Sequence, residues 1–159
     1  MKSLVETLQV MKRAYEDAIR VGEHTDSSLR LIRSKKLIEM LHEFATRELA
    51  RIGIPPQWVH KDKPIYGYPK AKTQDIMIQP PQNSGRDLSV GPLMTINLRS
   101  QLSSIEKNYD TLFERLVAEA LNLHNRFPYL VLGYIYLLPK TGYDDKAAKV
   151  KEVRFTERY

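Results

Sequence analysis

Cysteine is absent from the 159-residue chain, which removes disulfide frameworks, thiolate nucleophiles and Cys-ligated zinc in one step. Long apolar runs are absent too. The longest, Tyr129 to Leu138, is ten residues with Gly133 inside it, and a membrane-spanning helix needs about 20. The first residues, Met1-Lys2-Ser3-Leu4-Val5-Glu6, carry no apolar leader segment. Together these absences set the expectation of a cytoplasmic protein with no membrane partner. The chain also lacks a Walker-type phosphate loop, a GxGxxG turn and a GxSxG nucleophile elbow. Its four histidines, His24, His42, His60 and His124, do not have the spacing of zinc ligands.

What is present is ordinary in bulk. A hydrophobic fraction of 42% and a charged fraction of 28% suit a globular protein. The length suits a single domain over residues 1–159, large enough to bury a core unaided. Twenty-five Lys plus Arg against 19 Asp plus Glu give a net charge of +6. A cationic surface gains affinity for polyanions by releasing their counterions, so nucleic acid is an expected partner. The same balance also occurs in basic proteins without such a partner.

Helical and extended segments separate along the chain. Ser3 with Glu6 forms a capping-box pattern, and Leu4, Leu8, Met11, Tyr15 and Ala18 follow at helical spacing up to Gly22. A turn at Thr25-Asp26-Ser27-Ser28 precedes a second helix from Leu29 to about Ile52. Ile38, Leu41, Ala45, Leu49 and Ile52 form its apolar face, and Gly53 with Pro55-Pro56 stops it. From Pro55 to Lys72, Trp58, His60, Tyr66 and Tyr68 are interleaved with Lys61, Lys63, Lys70 and Lys72, and prolines recur. That is the composition of loop or edge strand. Asp75-Ile76-Met77-Ile78-Gln79 reads as a short strand, Pro80 to Arg86 as a turn or loop, and Pro92 to Leu98 as a central strand able to pair with the first. A long helix, Gln101 to His124, buries Ile105, Leu112, Leu116, Ala120 and Leu123. It leads into Tyr129 to Leu138, an apolar run expected to be a buried strand. Strand, helix, strand implies a parallel pair. The tail from Thr141 is polar, with Val150, Val153 and Phe155 opening a further element. Its brevity raises the expectation that the chain is a fragment of something longer.

Carboxylates are the candidates for chemistry. Asp75 heads an apolar strand, a costly place unless it lies at a sheet end near water or a cation. Glu39 and Glu43 lie one turn apart on the second helix, off its apolar face. Phosphodiester hydrolysis on magnesium needs such oxygens to converge at the scissile phosphate. Two roles are open to each group. Lys35, Glu39, Glu43 and Arg47 are spaced by four and also fit a surface chain of ion pairs, and Asp75 also fits a strand-end or turn role. Asn97 and Arg99, on one side of the central strand's C-terminal end, can hold a phosphate or orient a water. Equally, Asn97 or Ser100 can cap the following helix.

A helix bearing a glutamate, then Asp75 and its strand, then a strand ending in Asn97-x-Arg99 and a helix into a third strand, resembles the PD-(D/E)xK restriction endonuclease superfamily. The run Thr95 to Ser104, with Lys107-Asn108 and Asn122-Leu123-His124, adds to the likeness, which spans roughly Leu37 to Pro139. The resemblance implies an α/β fold with a restriction-endonuclease-like mixed sheet, N-terminal helices and a central βαβ unit. It implies a Mg²⁺-dependent endodeoxyribonuclease, working as a homodimer on double-stranded DNA. Asp75 with Glu39 or Glu43 would be the metal ligands. Asn97 and Arg99 would complete the catalytic set, and Trp58, Lys61, Lys63, Tyr66, Tyr68, Lys70 and Lys72 would touch the duplex. The chain departs from the family where it matters most, since Asn97-x-Arg99 stands in place of Glu-x-Lys. Asn is a weaker cation ligand, and Arg keeps its proton and cannot act as a base. Two further expectations therefore stand beside the enzyme: a catalytically inactive DNA-binding or assembly module with a nuclease-like core, and a structural subunit docking through Leu4, Leu8, Met11 and Tyr15 of the first helix.

Overall fold

The computed structural model describes residues 3–22, 36–82, 85, 91–100, 105–138, 141–143 and 152–154. The turn at Thr25, the stretch from Leu29 to Lys35, most of the loop after Pro80, and Gln101 to Ser104 lie outside the described residues, as do Asp144 to Lys151 and Phe155. So do the side chains of Tyr15, Ala18 and Ile105.

Helix α1 (Leu4–Gly22) is followed by α2 (Lys36–Arg51) and a single 3-10 turn, Pro56–Trp58. Strands β1 (Val59–Tyr66), β2 (Ala71–Ile78) and β3 (Met94–Ser100) come next, then helix α3 (Ile105–His124) and strand β4 (Val131–Leu137). Two short strands, β5 (Thr141–Tyr143) and β6 (Glu152–Arg154), pair with each other. The main sheet has the order β1-β2-β3-β4. β1–β2 and β2–β3 are antiparallel and β3–β4 is parallel, joined through α3. The protein is thus a mixed α/β domain with a four-stranded mixed sheet. The three strands expected around Ile76, Ile96 and Ile135 share that sheet.

Local chemistry sets the boundaries. The capping box forms as expected: Ser3 N–H donates to Glu6 Oε2 at 2.6 Å, and Glu6 N–H donates to Ser3 Oγ at 3.2 Å. Helix α2 ends where Gly53 turns left-handed at φ +90°, so that Ile54 N–H reaches the Leu49 carbonyl at 3.0 Å. Among the described residues no helix is long and apolar enough to cross a membrane.

The core lies between α2 and one face of the sheet. Leu37, Leu41, Ala45 and Leu49 of α2 meet Ile76, Ile78 and Leu98, with Met11 of α1 behind them. Each fully buried Leu or Ile contributes roughly 1.5–3 kcal/mol. A smaller cluster, Ile65, Leu123 and Leu130, fastens the far end of the β1–β2 hairpin to the end of α3.

Several expectations need correction. The buried face of α1 contains Thr7 and Met11, while Leu4 and Leu8 are exposed. The Thr7 hydroxyl donates to the Ser3 carbonyl at 2.9 Å, and that bond lets a polar side chain go inside. Ile52 lies beyond the end of α2 and is exposed, whereas Leu37 is buried. β2 starts at Ala71 rather than Asp75, because the Lys-rich stretch before it pairs with β1. The apolar run expected to be a buried strand is β4. It is the last strand of this sheet and only half-buried, with Tyr129 and Val131 exposed.

The hairpin tip is held from outside. Tyr68 N–H donates to the Asn122 carbonyl at 2.8 Å. The Asn122 side chain accepts from Lys70 N–H at 3.3 Å and donates to the Lys70 carbonyl at 3.1 Å. Gly67 lies under that side chain, and a Cβ there would overlap the Asn122 amide. Gly67→Ala is therefore expected to cost about 1–3 kcal/mol in a urea melt. A change within error of zero would mean that the tip yields at no cost.

Candidate functional site

Asp75 interrupts both ladders that flank it. β1 and β2 pair from Val59 to Lys61 and again from Lys63 to Tyr66, skipping the Asp62–Asp75 position. There Asp62 adopts a left-handed φ of 49°, which Asp tolerates better than most side chains. β2 and β3 pair only from Ile76–Ile96 to Ile78–Met94, although β3 continues along β4 as far as Ser100. The sheet therefore opens between β2 and β3 beside the C-terminal ends of the parallel strands, where open α/β sheets place their ligands.

Side chains take over where backbone pairing stops. Asp75 N–H donates to Asn97 Oδ1 at 3.2 Å, and Leu98 N–H donates to Asp75 Oδ2 at 2.7 Å. The Asp75 carbonyl accepts from His42 Nε2 of α2 at 2.9 Å. A carbonyl can only accept, so that ring nitrogen carries the proton. Arg99 Nη1 lies 2.6 Å from Asp75 Oδ2 and 2.8 Å from the Leu98 carbonyl. Side-chain exposure is 23% for Asp75 and 40% for Arg99, so this ion pair is reached by water. Among the described residues nothing bonds Asp75 Oδ1.

Beneath the pair lies a buried polar cluster against α3. Gln74 Nε2 and Asn97 Nδ2 both donate to Glu119 Oε1, at 2.9 and 3.1 Å, and Asn97 Nδ2 also donates to Gln74 Oε1 at 2.7 Å. An ionised carboxylate only accepts, so Glu119 fixes the way both amides turn. Asn97 is thereby left with its oxygen facing Asp75 N–H. Gln74 and Asn97 are fully buried and Glu119 nearly so. Tyr134, paired with Asn97 across β3–β4, brings its hydroxyl beside Glu119 and Asn97 but makes no well-aligned hydrogen bond. Burial pushes that phenol well above its ordinary pKa, and the Glu119 charge pushes the same way. Tyr136 is raised chiefly by burial, with Arg99 opposing, and its ring stacks on Tyr134 at 6.3 Å. Both phenols stay protonated across the physiological range.

The sequence-derived candidates fall into three places. Asp75, Asn97 and Arg99 come together as described. Glu39 and Glu43 are exposed on α2, on either side of His42 in sequence, the residue that reaches Asp75. Among the described residues no group of three His, Cys, Asp or Glu gathers to hold a metal ion. Lys61, Lys63, Tyr66, Tyr68, Lys70 and Lys72 lie along one hairpin and its tip. Tyr66 is 65% and Tyr68 77% exposed. Trp58 is half-buried against the α2 core.

Sequence reasoning passed over Gln74, Glu119, His42 and Tyr134. For Glu119 a signal existed. It falls seven residues after Leu112, three after Leu116 and four before Leu123, so a carboxylate sits on the apolar side of a helix. Comparison with protein-family models, curated proteins and solved structures finds no match for the chain.

Proposed function

We propose that the domain acts on double-stranded DNA as a Mg²⁺-dependent endodeoxyribonuclease of the restriction type. One observation carries the reading: a carboxylate and a guanidinium, Asp75 and Arg99, stand side by side at the break in strand pairing, held from below by a buried polar cluster. Arg99 presents a guanidinium fork that would stabilise the phosphate. Asn97 is buried and holds the Asp75 main chain, and Gln74 and Glu119 hold Asn97 in turn. Asp75 is the one carboxylate the site itself supplies, so a Mg²⁺ there would be completed by substrate phosphate and water, as in sites that take one or two carboxylates from the protein. Among the described residues no cage of protein groups alone could hold an ion. Asp75 would hold that ion, with Glu39 or Glu43 as the second carboxylate. When bound, the ion would supply Lewis-acid stabilisation of the phosphoryl centre.

A second reading, a DNA-binding or assembly module without catalysis, is favoured by the 2.6 Å ion pair itself, because Arg99 already neutralises Asp75. Mg²⁺-dependent nicking of plasmid DNA separates the two. Cleavage supports the enzyme, and salt-sensitive binding with no cleavage under any divalent ion supports the module.

Both readings share one expectation. Lysines 61, 63, 70 and 72 would each displace a counterion from the duplex. Changing all four to Ala should lower the slope of log K against log salt by about 3–4 on any sequence. Fluorescence anisotropy of a labelled duplex across a salt series measures this. A slope unchanged in the quadruple variant would remove the hairpin from the interface, and no duplex binding at all would sink both readings.

A further inference from the structure

Helix α3 is apolar on the wrong side. Its inward face holds Leu112, Leu116, Glu119 and Leu123, yet Phe113, Val117 and Leu121 are 58%, 38% and 59% exposed. At about 100° per residue these three fall within one stripe roughly opposite the core, and the exposed Asp110 and His124 fall on the same stripe. The spacing is symmetric about Val117. Asp110 and Phe113 lie seven and four residues before it, and Leu121 and His124 lie four and seven after it.

We propose that this face of α3 is a homodimer interface, in which two copies pair antiparallel about a two-fold axis through Val117. In that arrangement Val117 meets its own copy, Phe113 meets the partner's Leu121, and Asp110 meets the partner's His124. A two-fold interface must be self-complementary, with each residue of a contacting pair repeated by symmetry. Few helix faces meet that condition, and here both the apolar residues and the polar ends do. Exposed apolar stripes with polar ends mark association sites rather than solvated surface. The polar ends also match in chemistry. With His124 Nε2 spent on the Leu130 carbonyl at 2.9 Å, Nδ1 is the ring nitrogen left to face the partner's Asp110 carboxylate. A parallel arrangement would set Asp110 against Asp110 and lose that match. One helix pair covers less than the standard interface area, so the association is expected in the micromolar range. The inference does not depend on the DNA reading and stands if that reading fails.

The absence of cysteine makes the test clean, because any introduced thiol is the only one. The full chain is oxidised with diamide at micromolar concentration, without DNA. Val117→Cys alone should yield a disulfide dimer. Phe113→Cys and Leu121→Cys should do so only when mixed. Ala118→Cys, exposed but off the stripe, should form no disulfide. Sedimentation equilibrium gives the second readout. The wild type should dimerise, and Val117→Glu should raise the dissociation constant at least tenfold with an unchanged circular-dichroism melt, since Val117 is not in the core. A wild type monomeric at all concentrations, a dimer indifferent to Val117→Glu, or Phe113→Cys and Leu121→Cys each linking to themselves would overturn the proposal.

Discussion

On the nuclease reading proposed above, Asp75→Asn is expected to cut plasmid nicking by at least about a hundredfold while leaving the fold intact and duplex binding equal or tighter. The activity loss follows from charge. An amide of nearly the same shape offers a cation only a dipole, so metal occupancy and the stabilisation of transition-state charge both fall. The fold should survive because the Asn carbonyl can still accept from Leu98 N–H. What disappears is the ion pair with Arg99, which is partly exposed and therefore worth little. Binding should hold or improve because one negative charge facing phosphate is gone. Glu39→Gln and Glu43→Gln complete the set, and the one that matches Asp75→Asn identifies the second carboxylate. Nicking by Asp75→Asn at the wild-type rate would remove the active site from this position.

The largest effect on stability should come from Asn97→Leu. The side chain is fully buried, and its amide makes bonds to Asp75 N–H, Gln74 Oε1 and Glu119 Oε1. Leucine fills the space but leaves a backbone donor, an amide oxygen and a buried carboxylate short of partners. Unsatisfied buried groups cost about 1–3 kcal/mol each, more when charged, so a loss of about 3–5 kcal/mol is expected. Against a total stability of roughly 5–15 kcal/mol, that brings the domain to the edge of unfolding. Asn97→Asp should be no better, because it sets a second carboxylate beside Glu119. Urea titration followed by circular dichroism measures the loss. A midpoint for Asn97→Leu within about 1 kcal/mol of wild type would mean that the cluster contributes little.

These two substitutions also mark what the residue pattern could and could not reveal. Asp75, Asn97 and Arg99 were legible because a strand alternates. Placing Asn97 and Arg99 on one side of β3 and Leu98 on the other needs only the period of two, and Leu98 is indeed in the core. The parallel β3–α3–β4 unit was legible for a similar reason, since two apolar strands bracket one helical stretch. The burial of β4 was not. An apolar run reads the same whether its strand is central or terminal, and strand order depends on contacts between distant segments. The face of α1 was misread at its start, where Leu4 and Leu8 outrank Thr7 on any apolar scale yet Thr7 lies inside with its hydroxyl bonded to the Ser3 carbonyl, while Met11 is buried as expected. The cluster of Gln74, Glu119 and His42 joins β2, α3 and α2. Gln74 and Glu119 share Asn97 while His42 reaches the Asp75 carbonyl, and no local spacing reports such contacts between distant residues.

The Asn122 clamp has a bearing on how the chain is made. Its bonds to Lys70 join residues 52 positions apart. During synthesis the β1–β2 hairpin leaves the ribosome long before Asn122 does, and the Tyr68 N–H and the Lys70 N–H then lack their final partner. Gly67 N–H finds the Lys70 carbonyl within the turn, at 3.1 Å, but Tyr68 and Lys70 acquire their Asn122 partners only when α3 packs against the tip. The tip of a hairpin is ordinarily among the earliest parts of a sheet to settle. In this chain part of the tip's bonding is deferred, because the Asn122 contacts require the strand–helix–strand unit downstream to be in place.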